Sequence, residues 1–236
     1  MKALKEAWFE FDGVRSDARG LRLLRMPRRY SPVKRGVHEE VPGRDGYLWL
    51  PENAYMPVDI SVECESTDEY DSDAVWAWLL NAGESWLRFS DEPDRAYKAQ
   101  VIDAAHSENK FLRFDRKQMT IPFRCQPHRY EYPESAAVAP VDNIVENPGT
   151  AESLPRIIVQ ASGDWSITVG GQLIEVTGGG IIIDSELRDC LTVDGISLAN
   201  SRVTLDEYPK LQPGANPISW SGAVSSVSVL RRVRYL

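Results

Sequence analysis

Strict alternation marks residues 55 to 65. Val58, Ile60, Val62 and Cys64 are apolar and Asp59, Ser61, Glu63 and Glu65 between them are polar, the period-two pattern of a strand buried on one face. From Asp71 the period lengthens. Val75, Trp76, Leu79 and Leu80 fall together on one helical face, Asp71 or Ser72 supplies an N-cap and Gly83 a terminator, which predicts a helix from Ser72 to Ala82. Elsewhere the pattern is β. Trp8 to Phe11 reads as a short strand entering an Asp12-Gly13 turn, and Pro42-Gly43 with Asp45-Gly46 precedes an aromatic-rich strand through Tyr47 to Leu50, since aromatic residues favour strands and Asp-Gly favours tight turns. Strands over Trp86 to Phe89 and Tyr97 to Ala105 are expected to flank a turn at Asp91 to Asp94, followed by strands at Phe111 to Phe114 and Gln118 to Cys125.

Between Pro133 and Pro155 the composition shifts to Pro, Ala, Glu, Asn and Gly, which reads as a linker over 134–155 with one short strand near Val141 to Val145. Beyond it lie short β segments: Ile157 to Val159, Trp165 to Val169, Leu173 to Val176, Ile181 to Ile183, Leu191 to Val193 and Val224 to Val233. Gly170-Gly171 and Asp194-Gly195 have the chemistry of hairpin turns. The fold class expected is mainly β: a sheet or split barrel with one packed α-helix over residues 1–133, and a β-sandwich over 156–236.

A net charge of -8 over 236 residues argues against a dedicated nucleic-acid binder, which needs a basic face to displace counterions. No apolar run is long enough to span a bilayer, and Met1 to Glu6 lacks the apolar core of a signal peptide, so a cytoplasmic origin without membrane association is expected. Cys64, Cys125 and Cys190 are far apart and read as buried thiols, and His38, His106 and His128 form no ligand pair, so neither metal nor cofactor is expected. Gly178-Gly179-Gly180 lacks the rest of a phosphate-binding loop, and Gly195-Ile196-Ser197 lacks the second glycine of a nucleophile elbow. Distant carboxylate pairs of a glycosidase leave no sequence signature, and Trp165 and Trp220 are the candidates for stacking on a sugar, with a place in the core as the competing reading of each. Charge is also segregated. Residues 15 to 35 hold Arg15, Arg19, Arg22, Arg25, Arg28, Arg29, Lys34 and Arg35 against Asp17 alone, whereas Asp59, Glu63, Glu65, Asp68, Glu69, Asp71 and Asp73 form an acidic stretch. Two readings stand: two solvated faces, or complementary patches across a repeated interface.

The block Gly83-Glu84-Ser85-Trp86-Leu87-Arg88-Phe89-Ser90-Asp91-Glu92-Pro93-Asp94-Arg95-Ala96-Tyr97, with Ile121-Pro122-Phe123-Arg124-Cys125-Gln126-Pro127 after it and Val41-Pro42-Gly43-Arg44-Asp45-Gly46 before it, resembles the distal tail protein (Dit) family of long-tailed, non-contractile bacteriophages. The resemblance implies a non-enzymatic virion component located at the tail tip and assembled in the cytoplasm of the host bacterium. It implies a galectin-like C-terminal sandwich and a homo-hexameric ring formed by the N-terminal domains. That ring would join the tail tube protein to the tail-associated tip protein and the receptor-binding or baseplate proteins, and DNA would pass through its channel unread. The two charged segments, with Arg22, Arg25, Arg28 and Arg29 in one and Glu63, Glu65, Asp68 and Glu69 in the other, are the candidates for the two patches of such a ring's interface, and lining the channel is the competing role of the acidic one. The alternatives are a carbohydrate-binding module in host recognition and a cell-wall glycosidase.

Overall fold

A computed structural model describes residues 7–102, 106–108 and 117–236. The strand expected at Phe111 to Phe114, and the end of the one expected to reach Ala105, lie outside them. The chain divides into two compact units, residues 1–129 with Leu236, and residues 130–235.

In the first unit the strands are β1 (Phe9–Phe11), β2 (Val14–Arg15), β3 (Leu21–Leu23), β4 (Lys34–Glu39), β5 (Leu48–Tyr55), β6 (Val58–Ser66), β7 (Ser85–Phe89), β8 (Glu92–Val101), β9 (His106–Glu108) and β10 (Gln118–Glu131), with one α-helix, α1 (Ser72–Asn81). One sheet runs in the order β2-β1-β7-β8-β10-β6-β3. The alternation predicted for β6 is observed, with Val58, Ile60, Val62 and Cys64 buried. Antiparallel register places Ile121, Phe123 and Cys125 of β10 opposite Val62, Ile60 and Val58, so the two inward rows pack as cross-strand pairs.

Helix α1 begins at Asp71, whose carboxylate accepts from the N–H groups of Asp73 and Ala74 at 3.0 and 3.3 Å, satisfying two otherwise orphaned donors. Gly83, at φ +63°, takes the left-handed conformation just past the helix end. The inward face differs from the expected one: Val75, Trp78 and Leu79 are buried, Trp76 is half-buried against the core, and Leu80 is 61% exposed. Trp78 stacks on Phe9 at 5.7 Å, and its indole N–H donates to the Phe11 carbonyl at 2.9 Å. Phe123 meets the edges of Phe9 and Phe11 at 6.0 and 5.1 Å, giving an aromatic core in favoured stacked and edge-to-face geometry.

The expected turn at Asp91 to Asp94 sits earlier. Phe89 pairs with Glu92 across Ser90-Asp91, and the register shifts between Arg88 and Phe89, leaving Pro93 to Arg95 as a bulge in β8. A bulge is where a proline is tolerated inside a strand.

The second unit contains β11 (Ile144–Asn147), β12 (Arg156–Val169), β13 (Gln172–Val176), β14 (Ile181–Asp184), β15 (Asp189–Thr192), β16 (Val203–Leu205), β17 (Gly214–Leu230) and β18 (Arg234–Tyr235). The two short strands expected at 157–159 and 165–169 are one long strand. β12 pairs with β14 through its first half and β13 through its second, while β17 follows it throughout, with register shifts near Ala161. Ile157, Val159, Trp165, Ile167 and Val169 from both halves enter one core cluster, so the sheet curls around its own interior as a sandwich. Gly170 and Gly171, at φ +56° and +89°, make the two-residue β12–β13 turn as expected.

The segment expected as a linker is built into this unit. β11 pairs with β17, Val138 bridges Val229 and Ser153 bridges Leu211. Buried Asn147 organises it, donating to the carbonyls of Ala151 and Leu211 at 3.2 and 3.0 Å and accepting from Gly149 N–H at 3.0 Å. Gly149 is needed because a Cβ there would lie 2.3 Å from the Arg234 carbonyl oxygen.

Candidate interaction surfaces

Sheet register brings the basic and acidic segments together inside one chain. β3 lies antiparallel to β6 with Arg22 opposite Glu65, and the two side chains form an ion pair; Arg25 pairs with Glu63 in the same way. Arg29 pairs with Asp91 and, at 2.7 Å, with Glu92, which also receives Arg129 at 3.0 Å. Arg124 answers Asp59 through two hydrogen bonds of 2.9 and 3.1 Å, holding that carboxyl below its ordinary range. Arg22, Arg25, Arg29, Glu63 and Glu65 thus each have an ion-pair partner within the chain. Arg28, Asp68 and Glu69 are exposed and hold no ion pair among the described residues. Asp68 and Glu69 border an open cavity of about 520 Å³ shared with Arg15, Asp17, Arg22 and Thr67.

The two stacking candidates separate. Trp165 is 4% exposed and its indole N–H donates to the Gly179 carbonyl at 3.0 Å, so its ring belongs to the core. Trp220 is 38% exposed on β17, opposite Ile167. Its exposure keeps it available as a stacking platform.

The glycine run is a structural turn. Gly178 N–H donates to Asp164 Oδ1 at 2.6 Å, and the Arg202 guanidinium takes the carbonyls of Gly178 and Gly179. Those groups are engaged within the protein. A Cβ at Gly180 would meet the Val159 carbonyl oxygen at 2.4 Å, which explains the third glycine. Ser197 lies in a loop, its N–H donating to Thr192 Oγ1 and its carbonyl accepting from Thr192 N–H at 2.9 Å; a three-residue 3-10 turn, Asn200–Arg202, follows it in place of the α-helix that a nucleophile elbow requires. All three cysteines are buried. Burial pushes the Cys125 thiol up to about 12 and raises Cys64 and Cys190 as well, the opposite of the depressed value that makes a thiolate nucleophile. Among the described residues no group of three or more His, Cys, Asp or Glu side chains is arranged to hold a metal.

Sequence reasoning did not single out one exposed apolar feature of the first unit. Among the described residues, β4 and β5 pair only with each other, outside the curved sheet, and no residue from 27 to 57 enters either core cluster. Register puts Val37 beside Leu50 and Glu39 beside Leu48 on one face, and His38 beside Trp49 on the other. Val37, Tyr47, Leu48, Trp49 and Leu50 are all exposed. His38 packs against Tyr47 and Trp49 at 4.2 and 4.6 Å, and Trp49 lies over Gly36, where a Cβ would come within 2.5 Å of its ring. The root is fixed by Tyr55 against His128 at 5.6 Å. The signal was present in the sequence, as aromatic and aliphatic residues at both parities of the same strand.

No protein-family description matches this chain, and no curated protein does. Among solved structures, the chain is similar to the crystal structure of the distal tail protein (Dit, gp 19.1) of SPP1, described as a paradigm of the hub adsorption apparatus of phages infecting Gram-positive bacteria. Identity is 16%, the TM-score is 0.69, and the match covers 98% of this chain and 99% of the other. At that identity the likeness is one of fold, and over essentially its whole length the chain has the two-unit, mainly β fold of a phage distal tail protein.

Proposed function

We propose that this protein is a structural hub of a phage tail, a distal tail protein whose N-terminal unit closes into a hexameric ring. In this reading the ring joins the tail tube to the tail-associated tip protein and the receptor-binding apparatus, and DNA passes through without being read. The protein is placed at the tip of the virion tail and assembles in the host cytoplasm. The observation that carries the reading is the end-to-end correspondence with the SPP1 protein, in which neither chain has a domain the other lacks. The motif resemblance in residues 83 to 132 points the same way. Arg28, Asp68 and Glu69 remain candidates for the subunit contact because they are exposed and free of ion pairs among the described residues. The test is mass in solution, by sedimentation velocity or native mass spectrometry. Six copies of a 26.6 kDa chain give about 160 kDa, and a species that stays monomeric at all concentrations would sink the ring.

A further inference from the structure

We propose that the edge of β17 over Ser219 to Gly222 is a docking site for an extended segment of another protein, which adds to the sheet of the second unit as one more strand. β12 pairs with one side of β17 from Ile218 to Leu230. On the other side β11 covers Gly214 to Pro217, the Asn143 carbonyl accepts from Ile218 N–H at 2.8 Å, and Val138 bridges Val229. From Ser219 to Gly222 that side pairs with no strand among the described residues. The place in line with β11 is left open because Asp142 and Asn143, left-handed at φ +51° and +61°, turn the chain away. In an antiparallel ladder a residue directs its N–H and C=O to the same side, and successive residues alternate. Ile218 N–H points away from β12, and the register runs without a break from Ile218 to Gly222. The main-chain groups of Trp220 and Gly222 therefore point outward, whereas those of Ser219 and Ser221 face β12. Two donors and two acceptors at strand spacing are matched by another extended main chain, the pairing used in strand addition.

Two observations set this edge apart from an ordinary one. Free edges are normally blunted by charge, proline or a bulge. None of the 17 residues from Gly214 to Leu230 is charged, where the chain's 26% would place about four. Pro217 and the register break beyond Gly222 lie at the two ends of the open stretch and not within it, while β11 and β15, strands of the same unit, carry Glu146 and Asp189. The second observation is Trp220. It has the inward parity of Ile218, which is 1% exposed, yet is itself 38% exposed. β11 delivers Val145 into the core beside Ile218; a strand continuing that line delivers an apolar side chain to the Trp220 ring. Geometry selects the occupant. The open stretch is about 13 Å long, bounded by the Asp142-Asn143 turn and the irregular β12–β17 pairing past Gly222. A strand already built into a folded sheet, a second copy's included, brings neighbouring strands against both ends. A linear segment of about four residues enters between them and leaves at either side. Its side chains are uncharged, with an apolar one facing Trp220. All of these residues belong to the second unit, so the inference does not depend on the first unit closing into a ring.

The probe is a synthetic hexapeptide of alternating threonine and valine with a terminal lysine for solubility. Its control is the same peptide N-methylated at alternate residues, which keeps the side chains and removes the donors of one edge. Each is titrated into the full chain, and amide hydrogen exchange is read by mass spectrometry with residue-level fragmentation. In the free protein the N–H groups of Trp220 and Gly222 are expected to exchange faster than those of Ser219 and Ser221. Saturating peptide is expected to slow Trp220 and Gly222 at least about tenfold, and the methylated peptide to bind at least about tenfold more weakly. Trp220→Lys places on the edge the charge that natural edges use and is expected to abolish binding. Its unfolding transition is expected to stay in place, because Trp220 belongs to neither core cluster. Protection of Trp220 and Gly222 in the free protein at every dilution, no slowing at millimolar peptide, or equal binding of the two peptides overturns the proposal. Protection that grows with protein concentration in the absence of peptide gives the edge to a second copy and overturns the proposed occupant.

Discussion

Replacing Leu79 by alanine, with Leu80→Ala as its neighbouring control, tests the seating of the only α-helix in the described residues. Leu79 is 1% exposed and lies in the same core as Val75, Trp78, Phe9 and Phe123, whereas Leu80 is 61% exposed. Truncating a buried leucine removes its transfer free energy and leaves a cavity that rigid neighbours refill only in part, for a cost of about 2 to 5 kcal/mol. Stacked and edge-on rings around Phe9 and Trp78 are poor at collapsing, which favours the upper half of that range. Truncating an exposed leucine should stay within about 0.5 kcal/mol. The first unit has 129 residues plus Leu236, so its unfolding entropy near the midpoint is on the order of 0.27 kcal/mol/K. The Leu79 change then lowers that unit's Tm by roughly 7 to 18 °C, and the Leu80 change by less than about 2 °C. Differential scanning calorimetry on the full chain reads both, with the second unit's transition as an internal reference. Equal shifts for the two variants, or a Leu79 shift below about 3 °C, would refute the seating of α1 on Phe9 and Phe11.

Two further outcomes are expected. In the second unit, burial alone would raise the Asp184 carboxyl, but the Arg232 guanidinium at 2.6 and 2.8 Å and the N–H groups of Leu187 and Glu186 hold it below its ordinary value. A group depressed in the folded state stabilises above its unfolded pKa of about 3.9 and loses that contribution as pH falls through the folded value. The second unit should therefore lose stability below about pH 4, and Asp184→Asn should cost about 1.5 to 3 kcal/mol at neutral pH by removing the two short contacts to Arg232, which keeps Glu186 at 3.3 Å and Glu134 at 3.9 Å; thermal melts whose neutral-pH midpoint is unmoved by the substitution would contradict this. Duplex DNA should bind negligibly at about 150 mM salt, because Arg22, Arg25 and Arg29 are already answered by Glu65, Glu63, Asp91 and Glu92. Saturable binding at low micromolar protein in a fluorescence titration would return the basic segment to consideration as a nucleic-acid contact.

The strands that bury one face were readable in the sequence because alternation is a local signal: β6 and β10 show it residue by residue. The helix was readable in place but not in orientation. Val75, Trp76, Trp78, Leu79 and Leu80 form two overlapping apolar stripes, and only the approach of Phe9 and Phe11 selects the one containing Trp78. The first half of β17 was hidden for a different reason. Ser219, Ser221, Gly222 and Ala223 carry no hydrophobic pattern, and the segment is a strand because β12 pairs along it from Val169 to Trp165. Segment 134–155 looked like a linker by composition. Its order comes from Asn147, a polar side chain buried where three backbone groups need partners, and composition cannot distinguish that from a solvated asparagine.

The charged segments expose the same limit. A run of like charge states its sign and not its destination, and Arg22 to Glu65 spans more than forty residues that only sheet register brings together. Arg22 and Arg25 spend their charge on Glu65 and Glu63 of the same chain, so a charge run read from sequence does not by itself identify a contact between copies. The hairpin shows the converse: its hydrophobic residues read as core in the sequence, but its strands lie outside the main sheet among the described residues, and Val37, Leu48 and Leu50 enter neither core cluster.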